Sequence, residues 1–279
     1  MIAKKSRDRV FKSPPRQNYA DAMANELIVF DVDGVIRDSS MAAYESMKHG
    51  LDAVGLKHNF GQDEMWRLRG LGKYNERKNC IKALISASRE KADLKLMLSR
   101  DDAEIVIDSL VERNIGEAET ELADGVSNAF AGFFLSDRAA ELISLLPGVE
   151  DTLKRLKEKG YTLAIFTNSG IASIRRDLAG MDLSIFSSIL SEEDVKAKKP
   201  SGEGIVKTME TLGFGPKRTY YVGDAISDIQ AAREAGCIAV SVLSGMGSMP
   251  QLEKARPDLI FKDISAVGDY FIRRARKKR

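Results

Sequence analysis

Apolar residues recur along this chain in two rhythms, and the rhythms divide it. Short continuous apolar runs, rich in β-branched residues and bounded by Gly, Asp, Asn or Ser, occur at Leu27–Phe30, Thr162–Phe166, Ser188–Leu190, Thr219–Val222, Ile238–Val242 and Leu259–Phe261. Runs of that length with no polar alternation predict strands buried on both faces, as in a parallel sheet. Between them lie amphipathic stretches. Pro147-Gly148 opens one in which Val149, Leu153 and Leu156 share a face, and Gly160 ends it. Strands alternating with helices imply a parallel sheet covered by helices on both sides.

From about Ser39 to Leu146 only the helical rhythm is present. Asp38 or Ser39 can cap its start. Ile81, Leu84 and Ile85 fall at i, i+3, i+4, as do Leu94, Met97 and Leu98. Ser99-Arg100-Asp101-Asp102 has the form of a capping box ahead of Ile105, Ile107, Leu110 and Val111. The expected architecture is therefore α/β: a Rossmann-like parallel-sheet core from residues 23–38 and 147–272, interrupted by an all-helical cap domain at 39–146. The hinges would lie near Ile36–Asp38 and Leu146–Gly148.

Composition agrees with this division. A length of 279 residues suggests about two domains, and 43% hydrophobic with 30% charged residues is the globular range. Cys80 and Cys237 are far apart and lack metal-ligand spacing, which predicts no disulfide framework and a reducing compartment. No run approaches the length of a membrane span, and the first residues lack an apolar signal core, so a cytoplasmic location is expected.

The net charge of +2 hides an uneven distribution. Residues 1–16 carry six cations against Asp8, and residues 273–279 carry six more. Setting these aside leaves 31 basic against 40 acidic residues. The basic ends, 1–22 and 273–279, read as solvated, disordered tails. Counterion release onto nucleic acid or an anionic membrane is the rival reading. The tails alone point to no nucleic-acid partner, and the oligomeric state is open.

The candidate chemistry gathers where apolar runs end. Asp31 and Asp33, at i, i+2, follow the first run and precede Gly34. Extended backbone would point both carboxylates past the strand's carboxyl end, the edge of an open sheet at which ligands bind. Two adjacent carboxylates repel unless a proton or cation lies between them, so the pair is expected to hold a hard metal such as Mg2+. An ordinary Asp-Gly turn is the alternative.

The second run ends in Thr167-Asn168-Ser169-Gly170, a hydroxyl and an amide that suit phosphate oxygens and equally suit a helix N-cap. Lys196-Ala197-Lys198-Lys199-Pro200 is a basic loop. The fourth run leads into Gly223-Asp224, with Asp228 at i+4 on one side of a helical first turn.

Acid pair, hydroxyl, lysine and acid pair in this order resemble the haloacid dehalogenase superfamily of aspartate-dependent phosphotransferases, in its phosphoglycolate phosphatase-like branch with a helical cap. The resemblance spans roughly residues 25–272. Val35 stands where many members carry threonine, and Gly202 where a second proline is frequent. The resemblance implies a phosphoric monoester hydrolase acting on a small phosphorylated metabolite of the phosphoglycolate or sugar phosphate type. Asp31 would be the nucleophile, forming an aspartyl-phosphate. Asp33 would be general acid, then base, with its backbone carbonyl at the metal and a carboxyl pKa raised by burial under a closed cap. Thr167 would bind phosphate with the backbone N–H groups of Asn168 and Ser169. Lys199, which directly precedes proline, rather than Lys198, would neutralise charge. Asp31, Asp33, Asp224 and Asp228 would hold Mg2+.

The cap would choose the substrate. Between Met65 and Asn79 five cations face only Glu76, and Arg69, Gly70 and Lys73 are the candidates for contact with a second anionic group. A solvated helix face is the alternative. His49, His58 and Trp66 read as packing residues. Two other functions stay open: a phosphomutase of the β-phosphoglucomutase type, whose cap excludes water, and a binding protein on an inactive phosphatase fold.

Overall fold

The structure, a computed structural model, describes residues 26–277. The expectations for residues 1–22 lie outside the described residues. Among the described residues there are eight strands. β1 (Leu27–Phe30), β4 (Thr162–Phe166), β5 (Ser188–Leu190), β6 (Thr219–Gly223), β7 (Ile238–Val242) and β8 (Leu259–Phe261) form one parallel sheet in the order β5-β4-β1-β6-β7-β8. β2 (Arg37–Asp38) and β3 (Ser144–Leu145) form a small antiparallel ribbon.

The period-two geometry of strands sorts the apolar runs into two cores. Ile28, Phe30, Leu163, Ile165, Tyr220, Val222 and Val240 face one side, packed with Val149, Leu153 and Leu156 of helix Val149–Glu158 and Val267 and Phe271 of helix Ile264–Lys277. Leu27, Val29, Ala164, Phe166, Tyr221 and Ala239 face the other, with Ile205 and Met209 of helix Glu203–Leu212 and Ile229 and Ala232 of helix Ile226–Glu234. Both faces are covered, which is why the strands read as unbroken apolar runs.

The chain order sets where a ligand can sit. From β1 the core strands step outward through β4 to β5, then return to β6 beside β1 and step out the other way. The strand order reverses at β1, and the crevice beyond the carboxyl ends of β4, β1 and β6 is the switch point at which open sheets bind ligands.

Between β2 and β3 the chain is helical, with helices at Ser40–Ala53, Gln62–Arg69, Arg77–Glu90, Leu94–Leu98, Ala103–Asn114, Glu117–Phe134 and Asp137–Ala140. They enclose their own apolar core, which includes Met47, Leu51, Met65, Leu68, Ile81, Leu84, Ile85, Ile107, Leu110 and Val126. This lobe is joined to the sheet through the ribbon, where Arg37 pairs with Leu145 and Asp38 with Ser144.

Several local expectations change. The ribbon was unmarked, because two-residue strands carry no readable period. Ser99 closes helix Leu94–Leu98 rather than opening the next one, and Asp102 accepts from Arg100. Ser39 uses its hydroxyl on Asp33 instead of capping its helix, while Asp38 accepts from the Ser40 N–H at 2.9 Å. The last helix runs to Lys277, past the expected end of the core at 272. It is held there because Arg274 donates to both oxygens of Glu26 at 2.8 Å and Phe271, Ile272 and Ala275 are buried. Cys80 and Cys237 are buried free thiols. Among the described residues no helix is long and apolar enough to cross a membrane.

Candidate active site

Each element delivers its side chain through a backbone anchor just past the end of a strand. β1 ends at Phe30, and the Asp31 N–H donates to Val222 O at 2.8 Å. Next door, the Thr167 N–H donates to Leu190 O at 3.1 Å. Asp224 follows β6, and its carbonyl accepts from the Gly247 N–H at 3.0 Å. Three motifs far apart in sequence thus meet in the crevice.

Lys199 is the centre of the charge arrangement. Its Nζ lies 2.8 Å from Asp31 Oδ1 and 2.7 Å from Asp228 Oδ1, with all three side chains buried. Burial works against its charge, but Asp228 and Asp31 outweigh that and hold the ammonium protonated well above the usual range. Asn168 fixes the lysine's backbone from both sides: Nδ2 donates to Lys199 O at 3.1 Å, and Oδ1 accepts from Lys199 N at 2.9 Å. Lys198 is turned elsewhere and pairs with Glu192.

Asp31, Asp224 and Asp228 bring carboxylate oxygens within 4.8 Å of one another, all buried. One ammonium faces three carboxylates, and the crowding shows in the proton affinities of Asp31 and Asp224. Burial, together with Asp228 and Asp33, pushes the Asp31 carboxyl up to about 6 against the opposing pull of Lys199. Burial and the neighbouring Asp228 and Asp31 push Asp224 well above the carboxylate range. Asp31 Oδ1 is buried against the Lys199 ammonium. Asp228 has Oδ2 filled by the N–H groups of Asp224 at 3.0 Å and Ala225 at 2.8 Å. Asp224 Oδ2 accepts from Met246 N at 2.7 Å.

Hard oxygen donors with surplus negative charge fit a divalent cation such as Mg2+. Asp31 and Asp224 are placed to hold it, and Asp228, whose oxygens already serve Lys199 and two amides, is placed beside it.

Asp33 departs from expectation. β1 stops before it, so strand alternation does not carry to this residue, and its carboxylate stands outside the acid triad. Arg37 Nε donates to Oδ1 at 2.8 Å and Nη2 to Oδ2 at 3.2 Å, while the hydroxyls of Ser39 and Ser169 each donate at 2.5 Å. Burial acts to raise its pKa, but the Arg37 charge and these bonds outweigh burial and hold the carboxyl well below the usual range. Burial alone would have raised it. Arg37 and Ser39 were missed, and the only available signal was the i, i+4 spacing of Asp33 and Arg37.

Thr167 is buried, and its Oγ1 accepts from the Ser169 N–H at 3.2 Å in a local turn. The following helix begins at Ile171 with Gly170 as its N-cap, so Thr167 is not the cap.

On the lobe, the C-terminal end of helix Gln62–Arg69 and the Gly70 that follows it reach the sheet domain. Arg69 Nη2 donates to Asn75 Oδ1 at 3.3 Å, and Asn75 Nδ2 donates to Ser227 Oγ at 3.0 Å, between the two acids of the fourth motif. A Cβ on Gly70 would meet Met246 O at 3.0 Å. Lys73 is placed differently: its Nζ pairs with Asp108 at 2.8 Å, within the lobe. Trp66 lies under Arg69, His49 stacks near Phe133, and His58 lies against Phe60.

A family model described as haloacid dehalogenase-like hydrolase matches residues 26–236. The chain belongs to that family, in its phosphoglycolate phosphatase-like branch. Its curated relatives include phosphoglycolate phosphatases of Shigella dysenteriae and of Escherichia coli, each 27% identical over 241 residues, covering 85% of this chain and 89% of theirs. Among solved structures, a haloacid dehalogenase-like family hydrolase from Streptococcus pneumoniae superposes with a TM-score of 0.63 at 18% identity, covering 90% of this chain and all of its own. A candidate β-phosphoglucomutase from Thermotoga maritima gives 0.56 at 20% identity, covering 90% and 99%. These two likenesses concern the fold.

Proposed function

We propose that this phosphoric monoester hydrolase is a Mg2+-dependent phosphatase of a small phosphate ester, of the phosphoglycolate or sugar phosphate type, working through an aspartyl-phosphate. The observation that carries the reading is Asp31: a buried carboxylate at the switch point, whose Oδ1 lies 2.8 Å from the Lys199 ammonium and which stands within the acid triad with Asp224 and Asp228. A carboxylate so placed can attack phosphorus, and forming an acyl phosphate divides one slow hydrolysis into two faster steps.

Phosphoryl transfer asks mainly for positioning and for neutralising oxygens that carry spread charge. The metal, when bound, would supply electrostatic neutralisation of the phosphoryl oxygens. Lys199 supplies a fixed positive charge beside the nucleophile, and Asn168 fixes Lys199. Thr167, whose oxygen already accepts from Ser169, has its hydroxyl hydrogen left for a phosphoryl oxygen. Asp33 protonates the leaving alkoxide and then takes a proton from water, which requires its carboxylate to leave some of its present donors. The lobe acts as the cap, and Arg69 and Gly70, beside Met246, face the substrate's far end.

The experiment is phosphate release from a panel of small phosphate esters and a generic aryl phosphate, with Mg2+ and with chelator. Release that depends on Mg2+ is expected, with one or a few esters strongly preferred. Equal release in chelator would sink the metal assignment. Isomerisation of a sugar phosphate with little free phosphate would mark a mutase instead, and failure on every ester would favour a binding protein.

A further inference from the structure

Arg37 does more than hold Asp33. Its side chain is fully buried in the ribbon that joins the lobe to the sheet domain, and it forms a second ion pair with Asp177, whose side chain is also fully buried. Its Nη1 also lies 3.4 Å from Ser173 O, and its guanidinium lies 5.9 Å from the centre of the Phe134 ring. Asp177, at the end of helix Ile171–Asp177, is bridged in turn. Its other oxygen accepts from Arg176 Nε at 2.5 Å. Arg176 Nη1 then donates to Phe134 O at 2.9 Å and Ser136 O at 3.4 Å. Those carbonyls cap the C-terminal end of the lobe's long helix Glu117–Phe134, where a cation is also favoured by the helix dipole.

A continuous path of charge-assisted bonds therefore runs from the lobe through Arg176, Asp177 and Arg37 to Asp33. The buried Asp177 and the half-buried Asp33 share one buried guanidinium, so the position of Asp177 bears on how Arg37 presents its fork to Asp33. Such bonds are short and directional, and planar Arg–carboxylate pairing fixes geometry as well as charge.

We propose that Asp177 and Arg176, outside all four motifs, are positioning residues that set the orientation of the Asp33 carboxylate through Arg37 and tie it to the lobe. The proposal rests on the reading of Asp33 as the proton donor for its effect on turnover, but not for its effect on Asp33 itself. Asp177→Asn weakens the anchor of Arg37, and Arg176→Met keeps an apolar stem while cutting the link to Phe134.

Two measurements on the full chain test this. The first is kcat and KM on an alkyl and an aryl phosphate. General acid help amounts to about 10^2 to 10^4-fold, so a misplaced Asp33 should lower the alkyl-to-aryl ratio of kcat by about tenfold in either variant, with KM little changed. The second is the 13C resonance of the Asp33 side-chain carboxyl, assigned by its loss in Asp33→Asn. It should shift in both variants and stay put in Arg113→Ala, an exposed change elsewhere on the lobe. A lowered unfolding midpoint with an unchanged ratio and an unmoved resonance would show a merely structural role and overturn the proposal. If wild-type protein turns over neither ester, the phosphatase reading fails, and the resonance alone decides: movement upholds the relay and its absence ends it. Should Asp177→Asn fail to fold, Arg176→Met, whose side chain is partly exposed, carries both measurements.

Discussion

A Cβ placed on Gly245 would fall 1.9 Å from Oδ2 of Asp224, so this carboxylate occupies space that only glycine leaves free. Gly34 also approaches the same oxygen, its Cβ falling 2.5 Å away, and at φ +74° it holds a backbone conformation that other residues resist. Asp224 is thereby closed in by Gly34 of the first motif and by Gly245, in the segment after β7. Gly245→Ala must push it aside, and overpacking of this kind costs about 1–3 kcal/mol. The variant should unfold at lower urea than wild type and should need more Mg2+ for half-maximal phosphate release. A variant with wild-type stability and Mg2+ dependence would refute the cradle.

Asp224→Asn should separate stability from metal binding. The carboxylate it replaces is crowded by Asp228 and Asp31 and opposed by burial. Removing its charge relieves that repulsion, so the metal-free variant should be no less stable than metal-free wild type. Mg2+ at about 100 times its Kd stabilises a binding-competent protein by about 2.7 kcal/mol, and this increment should vanish in the variant together with phosphate release. Thermal unfolding with and without Mg2+ reads both effects. An intact Mg2+ increment would remove Asp224 from the ligand set.

Asp33→Asn should discriminate between leaving groups. An aryl phosphate departs without a proton and an alkyl phosphate does not. The alkyl ester should therefore lose about 10^2 to 10^4-fold, and the aryl ester much less. Equal loss on both, with no burst of aryl alcohol in the first turnover, would count against Asp33 as the proton donor.

Arg274→Ala should destabilise the sheet domain without touching the crevice. Its guanidinium grips both oxygens of Glu26, just ahead of β1, and stacks 5.4 Å from the Tyr220 ring centre. Hydrogen bonds between charged groups that remain partly wet contribute about 1 kcal/mol net. A small drop in urea midpoint with unchanged kcat and KM is expected. Loss of kcat in folded protein would mean that the last helix reaches the site.

The strands and the four core motifs could be read from the sequence because both rest on local signals. A strand buried on both faces must be apolar throughout, and a residue at the end of such a run stands at the sheet's ligand edge whatever the loops do. Thr162–Phe166 and Ile238–Val242 have the same limits in pattern and in structure. The surroundings of Asp33 were not legible. They depend on Arg37 and Ser39 nearby, but also on Ser169, and on Asp177 reached through Arg37, which only the closed sheet brings into range. The placement of Lys73 failed for a related reason: a basic stretch states its charge, while the partner that absorbs it, Asp108, lies on another helix. At the C-terminus, a run of cations reads as a solvated tail until a buried face built from Phe271 and Ile272 is seen to continue the helix.

The ribbon that pairs Asp38 with Ser144 has a consequence for how the chain reaches its native form. Leu27 on β1 must find Thr162 on β4, with the whole lobe intervening. If that lobe were still coil, closing so long a loop would be slow and entropically costly. The lobe encloses its own apolar cluster and its two ends lie side by side, so a lobe that collapses early would bring Asp38 and Ser144 together. The loop left for β1 and β4 to close is then shortened by about two doublings of length, each worth about 0.6 kcal/mol. The insertion that separates the catalytic motifs in sequence thus hardly separates them in folding, and a lobe of another size with adjacent ends could take its place without delaying the sheet.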